Sequence, residues 1–302
     1  MKNKLCLIFF LLLSSFLNSQ NYVDILKIHT NTTPLNPFDS GNAKTRVKEL
    51  CVDLNVPIKL NERTAILSGL NYEAFQVRLF PEHGIASFGS ASLKMGLNQR
   101  LSARLYGTFM FLPKYASDFN SVGQKDFQFG GLGFLKFVRH ENLNFKAGLY
   151  YNSELFGPFF VPMLGFYYSS PNKKCEANLM LPLLADFNYR ICPDINIGAN
   201  FNGQIRSYHL NSSVPGHEDS YVQRSTNEIY LYIKFGITKN FSLFAKIGQS
   251  FGRSYRVYDQ GDKVSMALPA TFLGSKRKQL NSDFSDGYVF QLTLLYRVSL
   301  RK

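Results

Sequence analysis

Taken two residues at a time, the stretch from Gly287 to Lys302 separates into two faces. Tyr288, Phe290, Leu292, Leu294, Tyr296, Val298 and Leu300 make one, apolar or aromatic throughout. Val289, Gln291, Thr293, Leu295, Arg297, Ser299 and Arg301 make the other, which is mostly polar. A period of two is the signature of a strand with one face in water and one in an apolar medium. The pattern recurs along the chain. Ile195, Ile197, Ala199, Phe201 and Ile205 oppose Asn196, Asn200, Asn202, Gln204 and Arg206. Ile229, Leu231, Ile233, Phe235 and Ile237 oppose Glu228, Tyr230, Tyr232 and Lys234. Segment 101–111 sets Leu101, Ala103, Leu105, Phe109 and Phe111 against Ser102, Arg104, Tyr106 and Thr108. Beyond the first twenty residues no segment carries a convincing helical period.

The connections fall into two classes. Short polar ones lie at 61–63, 98–100, 140–142, 171–174, 193–194 and 238–240, and long irregular ones at 31–44, 113–125, 211–221 and 259–285. Further reversals fall at 81–84 and 153–158. Short and long alternate, as they do when tight turns sit on one rim of an up-and-down transmembrane barrel and loops on the other. The sequence therefore predicts an all-β fold: a single closed antiparallel barrel of about fourteen strands. Fourteen requires 22–29 as the first strand and a reversal at Pro182. Merging 173–191 and dropping the first strand gives twelve, the alternative. In this frame the apolar faces meet lipid and the polar faces line the lumen, and closure satisfies the backbone in hydrocarbon.

Residues 1–19 have the form of a cleaved signal peptide: Lys2 and Lys4, an apolar run from Leu5 to Leu13, then a small and polar end. Residues 20–302 would form the barrel. Charged residues are only 18% of the chain and aromatics 15%, with 28 Phe, 17 Tyr and no Trp. The formal charge is +13, two units of it from the leader lysines. For an exported barrel this excess points to anionic lipid or solutes rather than nucleic acid. Cys51, Cys175 and Cys192 are too few for a disulfide scaffold.

With the leader, the alternating strands and the strand-final end in view, the chain resembles bacterial outer-membrane β-barrel proteins. It looks most like small barrels of uncharacterised function from the Bacteroidota. Residues 54–73 (LNVPIKLNERTAILSGLNYE), residues 176–191 (EANLMLPLLADFNYRI) and the closing strand carry the likeness. The resemblance implies the cell outer membrane as location, with the barrel-insertion machinery, outer-membrane lipid and lipopolysaccharide as partners. Many such barrels end on an aromatic residue; here Tyr296 is the last aromatic and the chain ends Leu300, Arg301, Lys302.

Candidate chemistry is sparse. None of the five histidines sits in a His-x-Ser pattern, and His209 reads as a solvated histidine at a strand-to-loop transition. His217, Glu218 and Asp219 read as a wet loop rather than a metal site. No catalytic, cofactor or metal residues are nominated. The basic density near Arg253, Arg256 and residues 274–280 reads either as a grip for lipopolysaccharide phosphates or as a solubilising loop. Tyr167, Tyr168 and Tyr288 fit an interfacial aromatic girdle.

The signal that remains is in the lumen. Lys94, Arg104, Lys136, Lys146, Arg190, Arg206, Lys234, Lys246 and Arg297 are expected to point inward, against fewer acids at Glu49, Asp53, Glu73, Glu176, Asp186 and Glu228. Rings of Lys and Arg favour anions in a pore. The expectation is a narrow pore for small, anion-leaning solutes. The alternatives are a closed barrel working through its loops and, last, a membrane-embedded lipid hydrolase.

Overall fold

The computed structural model describes residues 22–299; residues 1–21, on which the expected leader falls, and the final three residues lie outside it. Fourteen antiparallel strands form a closed ring. They are β1 Tyr22–Thr32, β2 Lys48–Lys59, β3 Thr64–Val77, β4 Ala86–Arg100, β5 Leu105–Ser117, β6 Phe127–His140, β7 Leu143–Glu154, β8 Gly157–Ser169, β9 Cys175–Leu181, β10 Leu184–Cys192, β11 Ile195–Leu210, β12 Ser220–Gly236, β13 Phe241–Ser250 and β14 Tyr288–Ser299. Closure comes from β14 pairing with β1, from Tyr22 opposite Ser299 to Thr32 opposite Phe290. Among the described residues there is no α-helix, only a single 3-10 turn at Gln124–Asp126.

The alternation places side chains as expected. On β14, Tyr288, Phe290, Leu292 and Leu294 are exposed outside, while Val289, Gln291, Thr293 and Leu295 are buried inside. Leu93, Met95 and Leu97 of β4, Phe109 and Phe111 of β5, and Leu231 and Ile233 of β12 extend the exposed apolar exterior. In water such a surface would drive aggregation, so its natural solvent is hydrocarbon. The grooves between these side chains, one of about 1120 Å³ bordered by Phe187, Ile197 and Leu231, lie mostly on this exterior.

The rim that carries Tyr22 and Ser299 has only tight turns, none longer than the one at 170–174. The turn at 101–104 is closed by Ser102, whose Oγ accepts the N–H groups of Arg104 (3.4 Å) and Leu105 (3.2 Å). The strand expected over 101–111 therefore starts only at Leu105, and the expected turn at 98–100 belongs to β4. On the opposite rim the connections are longer, except for the two-residue turns at 155–156 and 182–183. Gly157 follows the first of these at φ +124, and a Cβ there would meet the Val264 carbonyl oxygen at 2.6 Å. That position needs glycine on both counts.

Short β9 and β10 lower the wall on one side. β8 pairs with β9 only from Leu164 to Ser169, and β11 pairs with β10 only from Ile195 to Asn202. Above that height β11 leans across to strands that are not its barrel neighbours. Leu155 N–H donates to Ser207 Oγ (2.7 Å), Gln128 donates to the Ser207 carbonyl (3.0 Å), and His209 bridges Ser117 of β5. The upper barrel is thus drawn shut. Segment Ser254–Asp259 adds to the upper half of β12, and Asn281 completes it by bonding Val257 N (2.8 Å) and the Tyr255 carbonyl (2.8 Å). Two apolar clusters fill the closure: Phe75, Val77, Phe88, Tyr208, Leu210, Val222, Tyr255 and Val257 in one, and Phe156, Phe159, Met163, Tyr221 and Tyr258 in the other.

The lipid-facing assignment has a direct consequence. Leu231→Arg should cost about 2–4 kcal/mol in urea unfolding of protein refolded into bilayers. A change within about 0.5 kcal/mol would show that Leu231 does not face hydrocarbon.

Candidate functional site: the lumen

Three layers succeed one another along the inward positions. Nearest the short-turn rim the lining is basic and amide-rich. Lys94 pairs with Asp53 and also donates to Asn55 (2.9 Å). Lys146 donates to Asn178 (3.0 Å), and Lys246 to Asn200 (3.1 Å). Lys136 lies over the Tyr106 ring at 4.7 Å, and Lys234 over Phe244 at 5.5 Å. At the same rim Arg297 pairs with Asp24 and covers the Tyr22 ring, while Tyr22 donates to Glu176.

The middle layer is a packed ion network. Arg206 and Arg224 are direct cross-strand partners on β11 and β12. Two like charges so placed repel. Glu73 on β3, 1% exposed, resolves this by accepting from both guanidinium groups. Arg224 also donates to Glu49 (2.8 Å), and Tyr208 donates to Glu73 (3.1 Å). Beside this set Lys114 pairs with Glu154 (3.0 Å), which also accepts from Ser207 N (2.7 Å) and Ser207 Oγ (2.6 Å). Asn31 bridges Glu49 (3.0 Å) and Gln291 (2.7 Å), which ties β1 and β14 to the same network. The third layer is the apolar mouth, where the Phe75 ring stacks near the Arg224 guanidinium at 5.0 Å.

Among the nominated residues, Lys94, Lys136, Lys146, Lys234, Lys246 and Arg297 line the lower lumen, and Arg206 belongs to the middle network. Arg190 shares the inward face of β10 but is exposed at the rim. Arg104 is a correction: it sits exposed in the 101–104 turn and lines nothing, because Ser102 ends the strand there. Tyr167 likewise points inward, 4% exposed, whereas Tyr168 and Tyr288 face out.

His209 is also corrected. It is 3% exposed, and its Nδ1 bonds the buried Asp126 carboxylate (2.7 Å). Its Nε2 is buried without a hydrogen-bond partner, 4.0 Å from Asp219. His217 stacks on Phe80 at 4.4 Å, and Glu218 and Asp219 are exposed. Among the described residues no three His, Cys, Asp or Glu side chains converge as a metal site would require. Arg277, from the basic loop, is spent internally: it donates to Gln223 (2.6 Å) and lies 4.4 Å from the Tyr258 ring. Arg256 pairs with Asp283 (2.8 Å), leaving Lys276 and Lys278 exposed. Cys51, Cys175 and Cys192 are free thiols.

Outside the membrane-spanning strands, Asp118 anchors the 211–219 loop. It accepts backbone N–H groups of Asn211 (3.0 Å), Ser212 (3.0 Å) and Ser213 (2.9 Å). Burial works to raise its pKa, but the bonds from Ser212, Ser213 and Asn211 outweigh it and hold the carboxyl below the usual aspartate value.

In sequence, residues 40–267 match the family model described as a domain of unknown function, DUF6268. No curated protein matches the chain. Among solved structures the chain is similar to the COG4313 outer membrane channel from Pseudomonas putida F1, at 8% identity and a TM-score of 0.48, over 90% of this chain and 94% of that one. It is similar to the TodX monoaromatic hydrocarbon channel deltaS2 mutant at 8% identity and 0.41, over 91% and 89%. It is similar to the NanC porin at 8% identity and 0.37, over 90% and 100%.

Two outcomes follow from these contacts. Glu73→Gln removes the charge that holds Arg206 and Arg224 together and should cost about 3–5 kcal/mol in denaturant unfolding; a loss under about 1 kcal/mol would dissolve the network as a stabilising unit. Because the folded pKa of Asp118 is depressed, its contribution is present above the unfolded value of about 3.9 and fades as pH falls through the folded one. Asp118→Ala should therefore expose loop 211–219 to protease at neutral pH, whereas the parent loop becomes cleavable only in acid. Equal cleavage of both at pH 7 would refute the anchor.

Proposed function

The chain belongs to the DUF6268 family, and from that premise we propose that it is an outer-membrane channel held closed at its outer mouth, a narrow conduit for small, anion-leaning solutes. The short-turn rim then faces the periplasm and the long connections face outward, the usual orientation of such barrels. Export through the leader, insertion by the barrel-assembly machinery and contact with lipopolysaccharide belong to the same reading, as does a place among Bacteroidota barrels. The observation that carries the proposal is the division of the lumen. Its lower half is lined by lysines and amides, and it is separated from the outside by a plug made from β11, β12 and the loop segments around them. A barrel built only as a scaffold has no need of a basic lining beneath its plug.

The plug's contacts also favour a second reading, a permanently closed barrel that works through its loops. Glu73, Arg206 and Arg224 saturate one another, and the mouth is packed.

Single-channel recording with a salt gradient separates the two. The parent should be silent or open rarely. A His209→Ala, Glu154→Ala variant, freed of two of the contacts that hold β11 across the mouth, should conduct in stable steps with an anion-leaning reversal potential. Silence from a variant shown to be folded and inserted overturns the channel and leaves the closed barrel.

A further inference from the structure

Among the described residues the lumen contains two like-charged cross-strand pairs. Arg206 opposite Arg224 is one, and it carries its own counter-ion in Glu73. Lys136 opposite Lys146, on β6 and β7, is the other. Directly opposed side chains start from Cβ atoms about 5 Å apart, and with no counter-ion between them the two ammonium groups part, Lys136 turning to Tyr106 on β5 and Lys146 to Asn178 on β9. Among the described residues neither lysine has a carboxylate within ion-pair distance. The charged group acting on Lys136 is Lys146 itself. Lys234 and Lys246 lie among charges of both signs: Arg297, Asp24 and Glu176 near the first, and Lys27 and Asp186 near the second.

The surroundings of the pair are an amide oxygen and a ring. Lys136 is 7% exposed and stands over Tyr106, its cross-strand partner on β5, and Lys146 reaches Asn178 Oδ1 at 3.0 Å. The Tyr106 ring face and the Asn178 oxygen each receive part of an ammonium's field, but neither brings a full negative charge. Both lysines lie within a few residues of the short-turn rim, on the lumen side of the wall, where small ions arrive and lipid headgroups do not.

We propose that Lys136 and Lys146 form a binding site for a small free oxyanion, of the phosphate, sulfate or carboxylate class, which supplies from solution the counter-ion that Glu73 supplies from the chain in the other pair. The site deepens the channel reading by giving the anion a place to dwell. Binding nevertheless needs no conduction, so it can be read in a silent barrel, and its loss and the loss of the channel are separate results.

The test is thermal unfolding of the full refolded chain in detergent, titrated with sodium sulfate against sodium chloride at matched ionic strength. Sulfate also raises melting points by exclusion from protein surfaces, so the comparison is with variants. Lys136→Glu builds the missing negative charge into the wall. The parent should show a saturable sulfate-specific rise in Tm of about 2–4 °C beyond that of Lys136→Glu. Lys146→Met, which removes the repulsion by another route, should also lack the specific rise. Without sulfate both variants should melt no lower than the parent. A sulfate response of the same size in the parent and in both variants overturns the site, as does a parent response that never saturates.

Discussion

One carboxylate decides the shape of the upper barrel. Fourteen strands enclose a lumen wide enough to leave the inward faces of β3 and β11 apart, yet Glu73 meets Arg206, Arg224 and Tyr208 directly. That meeting requires the wall to flatten, and the short β9–β10 hairpin permits it by leaving β11 free above Asn202. Once the two sides touch, Phe75, Phe88, Tyr208 and Tyr255 can pack into a common apolar layer above the charges. Glu73 with only one arginine would be a weaker clasp, and the arginines without Glu73 would repel. Buried ion pairs add little to stability when compared with apolar packing, but they are costly to break singly and they fix register. Here the register fixed is that of one wall against the opposite wall.

The barrel itself was legible because its controlling signal is local. A period of two needs only neighbouring residues, so the two faces of β11, β12 and β14 stand in the sequence as they stand in the structure. The fourteenth strand depended on Pro182, which the alternation alone could have absorbed into one kinked strand. The turn at 101–104 was missed for a local reason of another kind. Leu101 and Ala103 continue the apolar period, but Ser102 competes for the backbone N–H groups and bends the chain. That error moved Arg104 from the rim into the lumen.

The plug was not legible, and the reason is range. Glu73 and Arg224 are 151 residues apart, and Glu49 and Arg224 are 175 apart. Nothing near any of them announces the partner. The same holds for His209: its neighbours Asn211, Ser212 and Ser213 describe a wet loop, and only the passage of β11 over β5 brings Asp126 to its ring. Arg277 looked like part of a free basic loop because its aromatic and amide partners come from β12 and from the chain that follows β13. Inward alternation gives the list of lining residues, but it leaves open which of them neutralise one another.

That last distinction is what gives the lumen a direction. Counted by type, lysine and arginine exceed acids along the whole lining, and a uniform anion-attracting tube would be the natural inference. The pairing divides the acids instead. Glu49, Glu73 and Glu154 are spent in the middle layer, where they lock the plug, and Asp24 and Asp53 are bound to Arg297 and Lys94. What remains without an ion-pair partner on the described lining is mostly lysine: Lys27, Lys136, Lys146, Lys234 and Lys246, against Glu176, Asp186 and Glu228. In the proposed channel, an anion entering from the short-turn rim would meet this lysine-rich lining and then a closed wall. On that reading the fold that neutralises the middle of the lumen is the same fold that would stop an anion there.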